Sequence, residues 1–278
     1  MNKKCDLHIH TLYSDSDLSV EECFRDARRK ELSCIAITDH DTMSGIKEAR
    51  VLSSRYGIEL IEAIEFSAQE ADVEVHVLGY FLDAENQRLQ EALAVMETHR
   101  RERLNKMADK LNDIGVRVDK EELTEKVRNK IPTRLHLGLY LLEKKRVSAL
   151  RDAFRKYLSP GKPAYLSRFK FTVQESIEII KDAGGLAFLA HPHMISDQSW
   201  IEKFIRYGIA GLEVSYPHMS VVRRNIYENM CRRYGLLRSG GSDAHGSYKK
   251  YTEIGAAVVP YAWVEEMKRA RACRETQS

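Results

Sequence analysis

The chain has 278 residues, 43% of them hydrophobic and 31% charged, with a formal net charge of +3 at pH 7. That balance is ordinary for a folded domain and excludes a disordered or collagen-like chain. No apolar run approaches the ~20 residues of a membrane helix, and the histidine-loaded start at His8 leaves no room for the apolar stretch of a secretory signal.

Cys5, Cys23, Cys34, Cys231 and Cys273 are odd in number and show no CxxC spacing. Cys34 lies in an apolar run and Cys5 just before one, so both read as small buried hydrophobes in a reducing compartment. The expected location is the cytoplasm.

Taken in chain order, the first 84 residues alternate in βα fashion. Strands are expected at Cys5–Ile9, Cys34–Thr38, Glu59–Ile64 and Val73–Tyr80, with helices at Val20–Leu32 and Met43–Tyr56. From Asn86 to Tyr157 the pattern is helical throughout, with Leu104, Met107, Ala108 and Leu111 on one face. Gly115 ends that helix, and Asp119 with Glu122 can cap a short one. The βα pattern then resumes with helices at Val173–Ala183, Trp200–Tyr207 and Val221–Tyr234. Strands are expected at Leu186–Ala190, Gly211–Val214 and Leu236–Ser239. Repeated βα units with short apolar strands imply a parallel sheet, open or closed into a barrel. The expected division is a barrel from 1–85 and 163–278, interrupted by a helical insertion at 86–162.

Charge is unevenly spread. Residues 86–164 carry 19 Lys+Arg against 11 Asp+Glu, or +8, which leaves 25 against 30, or −5, for the rest. A basic middle in an acidic surround suggests contact with something anionic; the plain alternative is a solvated helix face.

The groups that carry chemistry stand at strand ends. In Asp6-Leu7-His8-Ile9-His10, strand alternation sends both imidazoles to one face. The next strand ends in Thr38-Asp39-His40-Asp41, the third in Glu65, and the fourth carries His76. Ala190-His191-Pro192 and Gly241-Ser242-Asp243-Ala244-His245 follow the later strands. In a βα sheet or barrel the active site lies at the carboxyl ends of the strands. One HxH is weak evidence, but chance does not place His, Asp or Glu at nearly every strand end. The set exceeds the roughly three protein ligands of one catalytic zinc. It suits two or three divalent ions sharing a carboxylate, and the absence of cysteine favours Mn, Fe or Zn in a hydrolytic role.

These motifs resemble the PHP (polymerase and histidinol phosphatase) superfamily over nearly the whole chain. The branch of small bacterial phosphoesterases acting on nucleoside 3′,5′-bisphosphates and short RNA 5′ ends is the nearest likeness, through Pro160-Gly161-Lys162-Pro163-Ala164-Tyr165-Leu166. The resemblance implies an α/β fold, a distorted (β/α)7 barrel. It assigns His8, His10, Glu65 and Asp243 to a first ion, Asp15, His40 and His245 to a second, and His76 and His191 to a third, with Glu65 bridging. Asp15 stands where histidinol phosphatases of the family often have His. Asp39 is expected to orient an imidazole rather than bind metal.

Such a cluster implies phosphoester hydrolysis by a metal-bound hydroxide, with no nucleophilic Ser or Cys and no identifiable leaving-group acid. Arg134, matching a family Arg-x-His position, together with Lys162 and His218, is a candidate substrate contact. The expected substrate is a small phosphorylated molecule, a nucleotide or short RNA, with no membrane and no obligate protein partner. Rival readings are a histidinol-phosphate-type phosphatase, a non-catalytic module binding metal or nucleic acid, and an amidohydrolase. The last would want a Lys at a ligand-bearing strand end, where this chain has none.

Overall fold

Strand β1 (Lys4–Ile9) opens the structure, a computed structural model that describes residues 3–275. Every side chain of β1 after Lys4 is buried, as in a strand covered on both faces. Ser19 starts α1 (Val20–Arg29) with a capping box, accepting from Glu22 N while the Glu22 carboxylate takes the Ser19 N–H. Next come β2 (Leu32–Ile37), α2 (Ile46–Tyr56), β3 (Glu59–Glu70) and β4 (Val73–Tyr80). The helical middle holds α3 (Gln87–Asp113), α4 (Lys120–Lys126), α5 (Arg134–Glu143) and α6 (Leu150–Ala153), which runs into a π-helical turn at Phe154–Leu158. The chain continues through β5 (Phe171–Thr172), α7 (Val173–Asp182), β6 (Leu186–Leu189), α8 (Ser199–Tyr207) and β7 (Gly211–Ser215). It ends with α9 (Val221–Tyr234), β8 (Leu237–Gly240), β9 (Val259–Pro260) and α10 (Tyr261–Glu275).

These strands form one sheet in the order β8-β7-β6-β4-β3-β2-β1-β9, with β5 beside β3. β1, β2 and β3 are parallel neighbours, as are β6, β7 and β8. The expectation of an all-parallel sheet fails at β4, which runs antiparallel to both β3 and β6. Strand β3 continues to Glu70, and only Ala71 and Asp72 separate it from β4. A link that short makes a hairpin and leaves no room for a crossover helix.

The sheet curls until β1 meets the segment after β8. Asp243 N donates to His8 O at 2.8 Å and His10 N to Ala244 O at 3.0 Å. Gly241 is required in this seam, because a Cβ there would lie 2.3 Å from His8 N. The buried Asp6 carboxylate holds the seam by accepting from Ser242 N and Gly255 N, both at 2.8 Å. The result is a nearly closed barrel whose strand ends converge on one mouth.

Two apolar clusters fill the molecule. The larger lies between the barrel and its surrounding helices and includes Leu89, Ala92 and Met96 of α3. The smaller joins Leu104, Met107, Ala108 and Leu111 of the same helix to Leu123, Leu137, Leu141 and Leu158. At the junction, buried Arg100 reaches into the barrel. It pairs with Asp41 and donates to Pro132 O at 3.1 Å. Arg100 thus ties the long helix to the turn after β2 and to the segment before α5. No helix of the described residues is long and apolar enough to cross a membrane.

Candidate metal centre

Alternation along β1 delivers His8 and His10 side by side, with their Nε2 atoms 3.1 Å apart. Glu65 lies midway along β3, and a single bridge ties it to His40 in the turn after β2. Its carboxylate is the meeting point of the site. Glu65 Oε1 lies 3.0 Å from both His76 Nδ1 and His191 Nε2. Glu65 Oε2 lies 3.2 Å from His10 Nε2 and His40 Nδ1, and 3.4 Å from His8 Nε2. Asp243 Oδ1 approaches His10 Nε2 at 3.2 Å and His8 Nε2 at 3.4 Å. Asp15 Oδ1 lies 3.4 Å from His245 Nε2 and 3.6 Å from His10 Nδ1, and its Oδ2 lies 3.7 Å from His40 Nε2.

All nine ligand candidates read from the chain are therefore gathered at one mouth, although they are spread over more than 230 residues of sequence. Three sub-clusters have donors close enough to share an ion: His10, Asp15, His40 and His245; His8, His10 and Asp243; and His40, Glu65 and His76. His191 joins through Glu65 Oε1.

The donors fit divalent ions. His10 Nδ1, His40 Nδ1 and Asp15 Oδ1 are buried with no hydrogen-bond partner, an expensive state that a coordinated ion relieves. Burial alone would raise the Glu65 carboxyl, but His40, His76 and His8 hold it well below the usual range. Asp15 and Asp243 are likewise held low, by His40 and His245 around the first and by His8 and His10 around the second, against the opposing effect of burial. Burial pushes His40 down to about 3, which leaves its ring neutral with a lone pair to offer. Against burial, the same carboxylates raise His8, and they raise His10 and His76 to about 9, so a divalent ion would take the place of the protons these rings hold. The backbone is bent to serve this array, with positive φ at Asp41 (54°), His191 (28°) and Asp243 (50°). Non-glycine residues in that region cost about 1–3 kcal/mol each, and such strain gathers at functional sites.

A supporting shell surrounds the donors. Glu213 on β7 takes His8 Nδ1 at 2.9 Å and His191 N at 2.6 Å, so it fixes one ring's tautomer and the other residue's backbone. The sequence reading passed over Glu213; the signal was a lone carboxylate near the end of the apolar strand Gly-Leu-Glu-Val-Ser. Tyr216 donates to Asp243 Oδ2 at 2.7 Å, and Lys249 reaches the same oxygen. Asp39 binds no imidazole. It accepts from Thr11 N, Thr11 Oγ1 and Ser14 Oγ at 2.6–2.7 Å, which pins the turn that presents Asp15.

Two of the three substrate candidates stand apart from the cluster. Lys162 is exposed on its turn and makes no bond to the site. His218 is exposed beside Pro217 and packs edge-on to Tyr251. Turn chemistry and a basic side chain placed neither near the ions. Arg134, at the start of α5, donates to Leu158 O at 3.3 Å and lies over the Tyr165 ring. His136 caps that helix by accepting from Thr133 N.

The model of the PHP domain matches residues 6–159, more than half of the chain. The chain belongs to the PHP family. Among curated PHP relatives, a 5′-3′ exoribonuclease from Haemophilus influenzae is 30% identical, over 88% of this chain and 91% of its own length. A 3′,5′-nucleoside bisphosphate phosphatase from Chromobacterium violaceum is also 30% identical, over 90% of each. A solved structure from Bifidobacterium adolescentis, assigned as a metal-dependent phosphoesterase, superposes with a TM-score of 0.86 at 27% identity. It covers 95% of this chain and 94% of its own. The overall fold is thus shared over 95% of this chain.

Proposed function

We propose that this PHP protein removes a phosphate from a nucleotide, the 3′-phosphate of a nucleoside 3′,5′-bisphosphate, with the 5′ end of short RNA as a related substrate. The chain is an enzyme of the metal-dependent phosphoric ester hydrolase class. One observation supports the bisphosphate reading above others: a group of guanidinium ions crowds against the metal centre. Arg168 Nη2 lies 3.3 Å from His76 Nε2 and pairs with Glu74. Burial lowers Arg103 to about 10, and the charges of Arg134, Arg168 and Arg100 add to the shift. Arg100 is neutralised by Asp41, but among the described residues neither Arg103 nor Arg134 has a carboxylate partner. Crowded, partly buried like charges are costly unless an anion joins them, and the guanidinium fork matches phosphate oxygens. A second phosphate on the substrate meets that need.

Two or three divalent ions, held by the nine residues above, would supply polarisation of the phosphoryl oxygens and an acidified water. The protein's own part is positional. Glu213, Asp39 and Tyr216 hold the donors, Arg103 and Arg134 orient the remote phosphate, and the helical layer shields the mouth from bulk water. Electrostatic preorganisation supplies most of the rate gain in such sites. Four of the five cysteines are buried, as suits the reducing cytoplasm we assign to the protein.

In Arg134→Ala, the preference for adenosine 3′,5′-bisphosphate over p-nitrophenyl phosphate, measured as a ratio of kcat/KM, should collapse by about 10- to 100-fold. An equal loss on both esters would remove the second-phosphate pocket from the account.

A further inference from the structure

The imidazole rings run in a file across the barrel mouth. His245 and His10 have centroids 4.1 Å apart, His10 and His40 4.7 Å, and His40 and His76 4.8 Å. The arginine group stands at the His76 end. At the His245 end lies a different surface, a cleft of about 510 Å³ between the helical layer and the turn after His245. Asp15 and His245 form its inner wall, and Leu135, Leu150, Phe154 and Tyr248 supply apolar and aromatic lining. Arg151 also lines it, as does Lys249, whose amine reaches Asp243.

We infer that this cleft is the nucleobase subsite, taking the purine or pyrimidine ring of the nucleotide whose phosphate lies on the ions. The inference rests on the nucleotide reading above and adds to it where the base goes. Because Asp15 and His245 belong to the metal centre, anything in the cleft has one end at the ions. Its outer part must therefore be compatible with an anionic ester. Beside the charged groups, the lining offers two aromatic rings, Phe154 and Tyr248, and two branched aliphatic groups, Leu135 and Leu150, which suits a flat heteroaromatic group. Arg151 is exposed and lines the cleft, so it can meet the sugar-phosphate edge.

The cleft floor is preformed. Phe154 begins the π-helical turn, and turns of this kind are frequent at functional sites because the extra residue re-aims a side chain. Gly138 on α5 lets that turn come close: a Cβ there would lie 2.8 Å from Leu150 Cδ1 and 3.3 Å from the Phe154 ring. Leu150 and Phe154 are therefore seated against α5 and held at the cleft. The bound nucleotide spans the ion cluster, its base at the His245 end and its remote phosphate at the His76 end.

The test compares adenosine 3′,5′-bisphosphate with the abasic ribose 3,5-bisphosphate in wild type, Phe154→Leu and Tyr248→Ala. Leucine keeps the apolar volume of a half-buried ring, and Tyr248 is 37% exposed, so both variants should fold. The nucleotide-to-abasic ratio of kcat/KM should fall by between about 5-fold and 100-fold in each. An unchanged ratio in both variants overturns the subsite. A second readout needs no turnover: saturation transfer from wild-type protein to the base protons of 5′-AMP, expected to weaken in both variants. If the base protons respond while another ester is the true substrate, the cleft stands and the proposed reaction falls. If the bisphosphate is cleaved but its base protons stay silent, the reaction stands and the cleft falls.

Discussion

Glu65→Gln is expected to lower kcat/KM by at least about 10³-fold and to reduce the divalent metal retained per chain. Glu65 is the one carboxylate within 3.4 Å of five imidazoles, two on one oxygen and three on the other. Glutamine has the same shape and is neutral, so the buried fold survives while the shared negative charge is lost. Its amide N–H₂ group also presents donors where one set of rings needs an acceptor. Metal content by plasma mass spectrometry, read beside circular dichroism, separates loss of ions from loss of fold. A variant that keeps both its ions and its rate would reduce Glu65 to a structural acid.

The second large effect is on stability. In Arg100→Met, the thermal midpoint should drop by on the order of 10 °C, corresponding to about 3–5 kcal/mol for a buried pair left with one charge. Arg100 Nε donates to Asp41 Oδ2 at 3.0 Å, and Nη2 reaches the same carboxylate and Ser67 Oγ. Asp41 also accepts from Ser67 N at 2.7 Å, and both partners are almost fully buried. Burial raises the Asp41 carboxyl, and Arg100, Arg168 and His40 overcome it to hold the group below its ordinary value. An acid depressed in the folded state contributes stability at neutral pH and loses it as pH falls through that depressed value. The variant should therefore differ from wild type at pH 7 and converge with it in acid. Because Asp41 follows His40, metal retention should weaken as well. Arg100→Met combined with Asp41→Asn should recover part of the loss, since the stranded charge goes with its partner. An unchanged midpoint in the single variant would contradict the role given to this pair.

Much of the barrel was legible because apolar strands alternate with amphipathic helices whose caps are written in the sequence, as at Ser19 with Glu22. The reversal at β4 was not read, since Val73, Val75 and Val77 alternate equally well in either direction. The useful signal was the two-residue link at Ala71-Asp72. The last strand, only Val259–Pro260, is too short to show a period, and the helix after it buries Trp263, Val264 and Met267. Most metal donors could be found because they follow apolar strands, whereas Glu65 and His76 lie within β3 and β4 and Asp15 came from the family resemblance. Arg100 and Arg168 carry no such mark. Their meaning lies in neighbours that are distant in sequence, and the net basic charge of the middle segment did not say which cation faces the ions. Arg134 stood ahead of Lys162 and His218 in the sequence through its Arg-x-His match, and in the fold Lys162 and His218 are exposed on turns.

The central claim is that the cluster is a metal-dependent phosphatase for a doubly phosphorylated nucleotide. Its most direct test is inorganic phosphate release from adenosine 3′,5′-bisphosphate, 5′-AMP and histidinol phosphate, with Mn²⁺ and after chelation. The account predicts fast release from the bisphosphate alone, abolished by the chelator and restored by metal. Preference for histidinol phosphate, or release that survives chelation, would contradict it.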